Sequence, residues 1–240
     1  MAKHGKRYLE ASKLIDADKV YTIDEAIEVL GNLPKTNFDE TVEMHARLGI
    51  DPRQADQAVR SSVTLPHGSG RTVRVLVFAA GEAERAALDA GADYAGTDEY
   101  VQQINNGWLE FDAAVAMADQ MSKVGGLGRI LGRRGLMPNP RSGTVVREVE
   151  DLPNVIRELK GGRIEFRNDR TGNVHTILGK RTFTPEQLRE NALAFVDALN
   201  RAKPSGVKGI YCRKLSLTTT MGPGINLDVN DTINLTSALS

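Results

Sequence analysis

The chain has 240 residues, 40% of them hydrophobic, with 31 Lys and Arg against 31 Asp and Glu, a composition of folded domains that excludes an overall disordered or collagen-like chain. No run reaches the roughly 18 apolar residues of a membrane-spanning helix, and the polar start Met1-Ala2-Lys3-His4-Gly5-Lys6-Arg7 lacks the apolar core of a secretion signal, which predicts a cytoplasmic protein with no membrane partner. The single cysteine, Cys212, forms no internal disulfide, and the four histidines show no zinc-ligand spacing, so disulfide-scaffold and metal-site classes are excluded.

Thr22-Ile23-Asp24-Glu25 reads as a capping box opening a helix whose apolar face is Ile23, Ala26, Ile27 and Leu30 and whose stop is Gly31. From Val42 the period becomes two, with Val42, Met44, Ala46, Leu48 and Ile50 facing one way, the pattern of a half-buried strand. A second alternating run, Val59, Ser61, Val63 and Leu65, leads into the linker-like Pro66-His67-Gly68-Ser69-Gly70. Thr72 to Ala79 is then a near-continuous apolar run, as in a parallel strand buried on both faces. Helix Glu82 to Ala90, strand Asp93 to Ala95, helix Asp98 to Asn105 and strand Phe111 to Ala116 complete a β/α/β/α/β series. After Lys160-Gly161-Gly162, the alternating runs Arg163 to Arg167 and Val174 to Leu178, joined by Asn168-Asp169-Arg170-Thr171-Gly172, read as a hairpin. Thr184-Pro185-Glu186-Gln187 opens a helix with the stripe Leu188, Ala192, Leu193, Val196 and Leu199. A last strand is expected from about Val207 to Thr219, and the tail after Gly224 is expected to be loosely held.

These elements predict an α/β protein of two domains. Residues 1–67 and 161–240 form a discontinuous, split α/β sandwich, into which a Rossmann-like three-layer domain of residues 70–159 is inserted. Two short glycine-rich crossings make relative domain motion the default expectation.

The zero net charge hides segregation. Residues 81–119 hold nine acids and one base, Arg85, whereas residues 121–147 hold six bases and residues 199–222 hold five, neither with an acid. Such patches attract polyanions, the competing reading being an ordinary solvated face. Gly125 to Gly135, rich in glycine and arginine, is read as a loop suited to a phosphate backbone. It does not have the spacing of a nucleotide motif: Ala79-Ala80-Gly81-Glu82 follows the first inserted strand, and no P-loop ending occurs. Cys212 sits in an alternating run and reads as a buried hydrophobe, and His45 and His175 lie within strands and read as structural. Thr218-Thr219-Thr220-Met221-Gly222-Pro223-Gly224 offers hydroxyls for phosphates or 2′-hydroxyls, an adaptable methionine and a glycine permitting close approach, or else a plain strand end with a Pro-Gly turn. Phe38 either stacks on a base or staples the core.

Asn37-Phe38-Asp39-Glu40-Thr41-Val42-Glu43, Leu48-Gly49-Ile50-Asp51-Pro52-Arg53, Leu65-Pro66-His67-Gly68, Gly128-Arg129-Ile130-Leu131-Gly132, Met137-Pro138-Asn139-Pro140, Gly162 to Asp169 and Thr219-Thr220-Met221-Gly222 together resemble the bacterial large-subunit ribosomal protein L-one family, in order along about residues 5–224. The resemblance implies the interrupted two-domain fold. It further implies a protein that binds the ribosomal RNA of the mobile stalk near the exit site, assists release of deacylated tRNA and represses its own operon messenger. It implies a monomer when free of RNA, with no cofactor, no small-molecule substrate and no catalytic residue.

Carried over by motif, the main RNA contacts are Phe38, Thr41, Arg167, Asn168, Thr219, Thr220, Met221 and Gly222, with secondary contacts at Arg53, Arg163, Lys214, Arg129, Arg133 and Arg134. Asn37 stands where the family often carries a lysine, which removes one phosphate contact. The competing hypothesis is an enzyme that binds a nucleotide on the inserted Rossmann-like domain.

Overall fold

The computed structural model describes residues 4–237. The chain opens with helix α1 (Lys6–Lys13), which has no side-chain cap and buries only Ala11, too weak a signal for periodicity to detect. In α2 (Ile23–Asn32) the Thr22 hydroxyl accepts the Glu25 N–H at 3.3 Å, the Glu25 carboxylate accepts the Thr22 N–H at 3.2 Å, and Ile23, Ala26, Ile27 and Leu30 are buried. The helix runs past Gly31 and ends where Leu33 becomes extended. Leu33 precedes Pro34, whose ring disfavours the helical conformation in the residue before it.

Strands β1 (Thr41–Leu48) and β2 (Arg60–Thr64) follow. In the inserted part come β3 (Val75–Phe78), α3 (Glu82–Asp89), β4 (Tyr94–Ala95), α4 (Asp98–Asn105), β5 (Ala113–Met117), α5 (Met121–Val124), α6 (Gly128–Arg134), β6 (Val145–Val146) and α7 (Leu152–Lys160). The chain then returns through β7 (Arg163–Arg167), β8 (Asn173–Lys180), α8 (Pro185–Arg201), β9 (Cys212–Thr219), β10 (Ile225–Leu227) and α9 (Val229–Ser237). Two compact units result, one up to Gly70 and again from Ile164, the other Arg71–Arg163.

In the split unit the sheet order is β10-β9-β1-β8, with β1 central and antiparallel to both β8 and β9. The period-two pattern of β1 buries Val42, Met44, Ala46 and Leu48 against α2 and α8. Strand β7 pairs with β2 in a separate two-stranded sheet, and Phe166 anchors it by meeting Phe195 of α8 edge-on at 5.3 Å. The expected β7–β8 hairpin is therefore corrected: one bridge, Asn168 to Val174, joins the two segments before they part into different sheets. Each strand alternates as its sequence implies, but alternation does not name a strand's partner.

The stripe of α8 is buried as expected, together with Asn191, whose Nδ2 donates to Leu178 O at 2.7 Å and Gly68 O at 2.9 Å while its Oδ1 accepts the His67 N–H at 3.0 Å. This side chain pins the Gly68 crossing to the core. The last strand is shorter than expected, because the chain from Pro204 turns through Val207 and Gly209 before pairing starts at Cys212.

The tail is not loose through residue 237: β10 pairs with β9, Ile225 and Leu227 are buried, and α9 packs against the same core. Spacing of apolar residues within the tail was too short to reveal a strand completed by another segment. Its last three residues lie outside the described ones.

The inserted unit is a parallel sheet of order β4-β3-β5-β6. Val75 and Val77 face α3 and α7 on one side, while Leu76 and Phe78 face Ile104, Val124, Leu127 and Leu131 on the other, giving three layers. The residues expected as a glycine-arginine loop are helical instead. Burial of Val124, Leu127 and Leu131 outweighs the low helix propensity of the glycines, and the segment stops at Gly135, whose φ of 73° is left-handed.

Candidate nucleic-acid interface

Three strand ends meet at one end of the split unit's sheet. The register places Thr41, the first residue of β1, opposite Lys180 at the end of β8, and Val42 opposite Thr219 at the end of β9. The pairing continues beyond the strands: Thr220 N–H donates to Thr41 O at 3.0 Å, and Thr41 N–H donates to the Thr220 hydroxyl at 2.9 Å. Lys180 Nζ donates to the Thr41 hydroxyl at 3.1 Å.

This framework leaves two large apolar side chains uncovered, Phe38 at 53% and Met221 at 52% exposure. Exposed apolar side chains next to hydroxyls and a lysine suit a partner with both flat rings and phosphates. Thr220 is exposed and Thr41 half-buried, whereas Thr219 is buried and supports the turn from below. A Cβ at residue 222 would clash with the side-chain hydroxyl of the buried Thr219, so a glycine here suits the packing of the turn.

The cluster has a buried charged base that was not legible in the sequence. Glu40 is 1% exposed, its Oε2 lies 2.7 Å from Arg181 Nη1, and its Oε1 accepts the Met221 N–H at 3.2 Å. Arg181 also donates to the carbonyls of Leu33 and of Pro34, the latter at 3.2 Å, where α2 ends. Arg7 of α1 donates to Met221 O at 3.1 Å. A charged residue beside a strand start carries no local sign that it is buried, so pattern reading passes over it.

Arg167 and Asn168 stand elsewhere, at the end of β7 in the two-stranded sheet, and no hydrogen bond or ion pair among the described residues ties them to the strand-end cluster. Arg167 is exposed. Asn168 is engaged within the protein, accepting the Val59 N–H at 2.7 Å and donating to Asp169 O at 2.9 Å. Burial works to raise the Asp169 carboxyl, but hydrogen bonds from Asn173 and Thr171 outweigh it and hold the group well below the usual carboxylate range.

Of the secondary residues, Arg53 and Lys214 are exposed. Lys214 lies opposite Arg47 across the β1–β9 pair, a like-charge juxtaposition that costs stability and collects positive charge on the sheet's outer face. Arg163 is held by Glu158 at 2.6 Å and by Ser142 O at 2.7 Å. Arg129, Arg133 and Arg134 are exposed on α6.

On the same outer face His45 and His175 are cross-strand partners, with their Nδ1 atoms 2.9 Å apart. Burial lowers the His45 pKa, His175 lowers it further, and Glu43 opposes both. Cys212 is buried, and burial pushes its thiol up to about 11, which leaves it protonated and unsuited to be a nucleophile at neutral pH. In the inserted unit, the first turn of α3 carries Glu82 and Glu84 and that of α4 carries Asp98 and Glu99. Carboxylates at these helix starts repel a nucleotide phosphate where a Rossmann site would bind it.

A family model described as "Ribosomal protein L1p/L10e family" matches residues 29–223. A protein of Thermomicrobium roseum named large ribosomal subunit protein uL1 is 62% identical over 233 residues, which cover 97% of this chain and 97% of that protein. Proteins of the same name from Chloroflexus aurantiacus and Thermus thermophilus are 56% and 53% identical, each over 229 residues and 95% of this chain, covering 96% and 99% of their own lengths.

Proposed function

The chain belongs to the ribosomal protein L1p/L10e family, and on that premise we propose that it binds the ribosomal RNA of the large subunit's mobile stalk, near the exit site, through the strand-end cluster of its split unit. Family membership makes it a structural component of the large ribosomal subunit, located in the ribosome, and not an enzyme. The observation that carries the finer reading is the pair of exposed apolar side chains, Phe38 and Met221, flanking Thr41, Thr220 and Lys180 on a framework of paired strand ends.

In this reading hydroxyls and apolar atoms fit the shape of an irregular RNA, while cations hold its phosphates. Phe38, Thr41, Thr220 and Met221 touch the RNA, Thr219 and Gly222 shape the turn, and Arg167 extends the contact along β7. Asn168 keeps that strand end in place. Arg53, Lys214 and the exposed Arg129, Arg133 and Arg134 supply secondary contacts, and Arg163, already paired, supplies the weakest. The protein assists release of deacylated tRNA from the exit site, and a messenger from its own operon that presents the same RNA shape competes for the same surface. The free protein is a monomer.

The test is a binding titration of the purified protein against a stalk fragment of large-subunit rRNA and an unrelated RNA of equal length, each at low and high salt. The expected result is a preference for the stalk fragment that survives high salt, on top of a common salt-sensitive component from counterion release. Equal, salt-sensitive binding to both RNAs would leave only a basic surface and overturn the reading. Micromolar binding of a common nucleotide in equilibrium dialysis would favour the enzyme alternative.

A further inference from the structure

Glu40 is a buried charged residue placed between two residues of the proposed RNA surface, Phe38 and Thr41. Removing a carboxylate and a guanidinium from water costs free energy that their attraction often fails to return, and apolar residues of similar volume commonly serve stability as well. The Glu40–Arg181 pair is therefore weak evidence for stability, and what it does geometrically is more telling. One carboxylate oxygen takes the Met221 N–H at 3.2 Å while the other is held by Arg181 at 2.7 Å, and Arg181 itself spans the Leu33 and Pro34 carbonyls. The end of α2, the start of β1 and the turn after β9 are thereby tied to a single buried carboxylate.

We infer that Glu40 is a positioning residue for RNA recognition: without touching RNA, it sets the orientation of the Met221 turn, and Arg181 sets the orientation of Glu40. The inference rests on the stalk-RNA reading and deepens it. An RNA surface read by shape tolerates little displacement of Met221, whereas phosphate contacts from flexible lysines and arginines tolerate much. Glu40 should consequently control the preference for the stalk and not the affinity for RNA in general.

The experiment compares Glu40→Gln with the wild-type protein on the stalk fragment and on an unrelated RNA of equal length. Glutamine keeps the volume and an acceptor for the Met221 N–H, but it brings an amide donor against the Arg181 donors. The expected result is a loss of stalk affinity of about tenfold, the scale of one hydrogen bond to a charged group, with unrelated-RNA affinity and salt slope unchanged. Where Glu40→Gln does not fold, Arg181→Lys takes its place: it keeps a cation beside Glu40 but loses the fork that spans the α2 carbonyls, and the same selective loss is expected. An unchanged stalk affinity overturns the inference. So does an equal loss on both RNAs that tracks the folded fraction in circular dichroism, because that is a structural role only. If the wild-type protein shows no preference for the stalk fragment, the RNA reading fails first and the inference falls with it.

Discussion

The two basic regions of this protein are built in opposite ways. At the strand ends of the split unit, cations are engaged with protein groups: Arg181 holds Glu40 and two carbonyls, and Lys180 holds Thr41. The large apolar side chains Phe38 and Met221 stay exposed there, beside the exposed Thr220. On α6 of the inserted unit, Arg129, Arg133 and Arg134 are exposed, and a Cβ added at Gly128 or Gly132 would meet nothing within 4 Å. The first region is an apolar surface with its charges engaged beneath it, whereas the second is a row of solvent-exposed arginines on a helix. On the proposed RNA reading, the difference assigns specificity to the region where positive charge is least free.

The sharpest way to break this comparison is Met221→Asp. It removes an exposed apolar contact and adds a charge that repels phosphate, and a loss of stalk affinity of about 100-fold is expected, the scale of an interface hot spot. Because the side chain is half in solvent, the unfolding free energy should stay within about 0.5 kcal/mol of the wild type. A collapse of the melting midpoint would show that Met221 serves the core.

A smaller effect is expected from replacing Arg129, Arg133 and Arg134 together by Gln. Affinity for stalk and unrelated RNA should fall by the same factor, and the dependence of log K on log salt should become shallower by about two to three, one phosphate for each arginine. Loss of stalk preference in this variant would erase the distinction between the two regions.

The smallest effect concerns pH. Burial and His175 place the folded-state pKa of His45 below its unfolded value, so the unfolded chain binds the proton more readily. The associated stability is present above the ordinary imidazole range and is lost as pH falls through it. Thermal melts from pH 7.5 down to 5 should show a decline that is reduced in His45→Gln, and parallel curves for the two proteins would refute this role.

Capping boxes, period-two runs and apolar runs are signals carried by neighbouring residues. Those at Thr22 and Thr184, in β1 and in β3 therefore place most of the α/β framework without reference to tertiary contacts. Phe38, Thr220 and Met221 are candidates on contiguous motifs for the same reason, while their exposure is visible only in the fold. Strand partnership was not local. The separation of β7 from β8, the capture of the tail by β9 and the helical glycines around Gly128 each depend on what a segment packs against, and burial there outweighs intrinsic preference.

The sequence by itself determined the mixed α/β class and the family and nominated the residues of the candidate surface, because these reside in short-range order; that Phe38 and Met221 are exposed was decided by the fold. Only the tertiary structure decided that Glu40 and Arg181, 141 positions apart, form the base of that surface, that Thr219 is buried within it, and that Asn168 is occupied in holding β7 to Val59. A buried ion pair is identified by desolvation and by its partner, and both are properties of the folded arrangement that no stretch of chain contains alone.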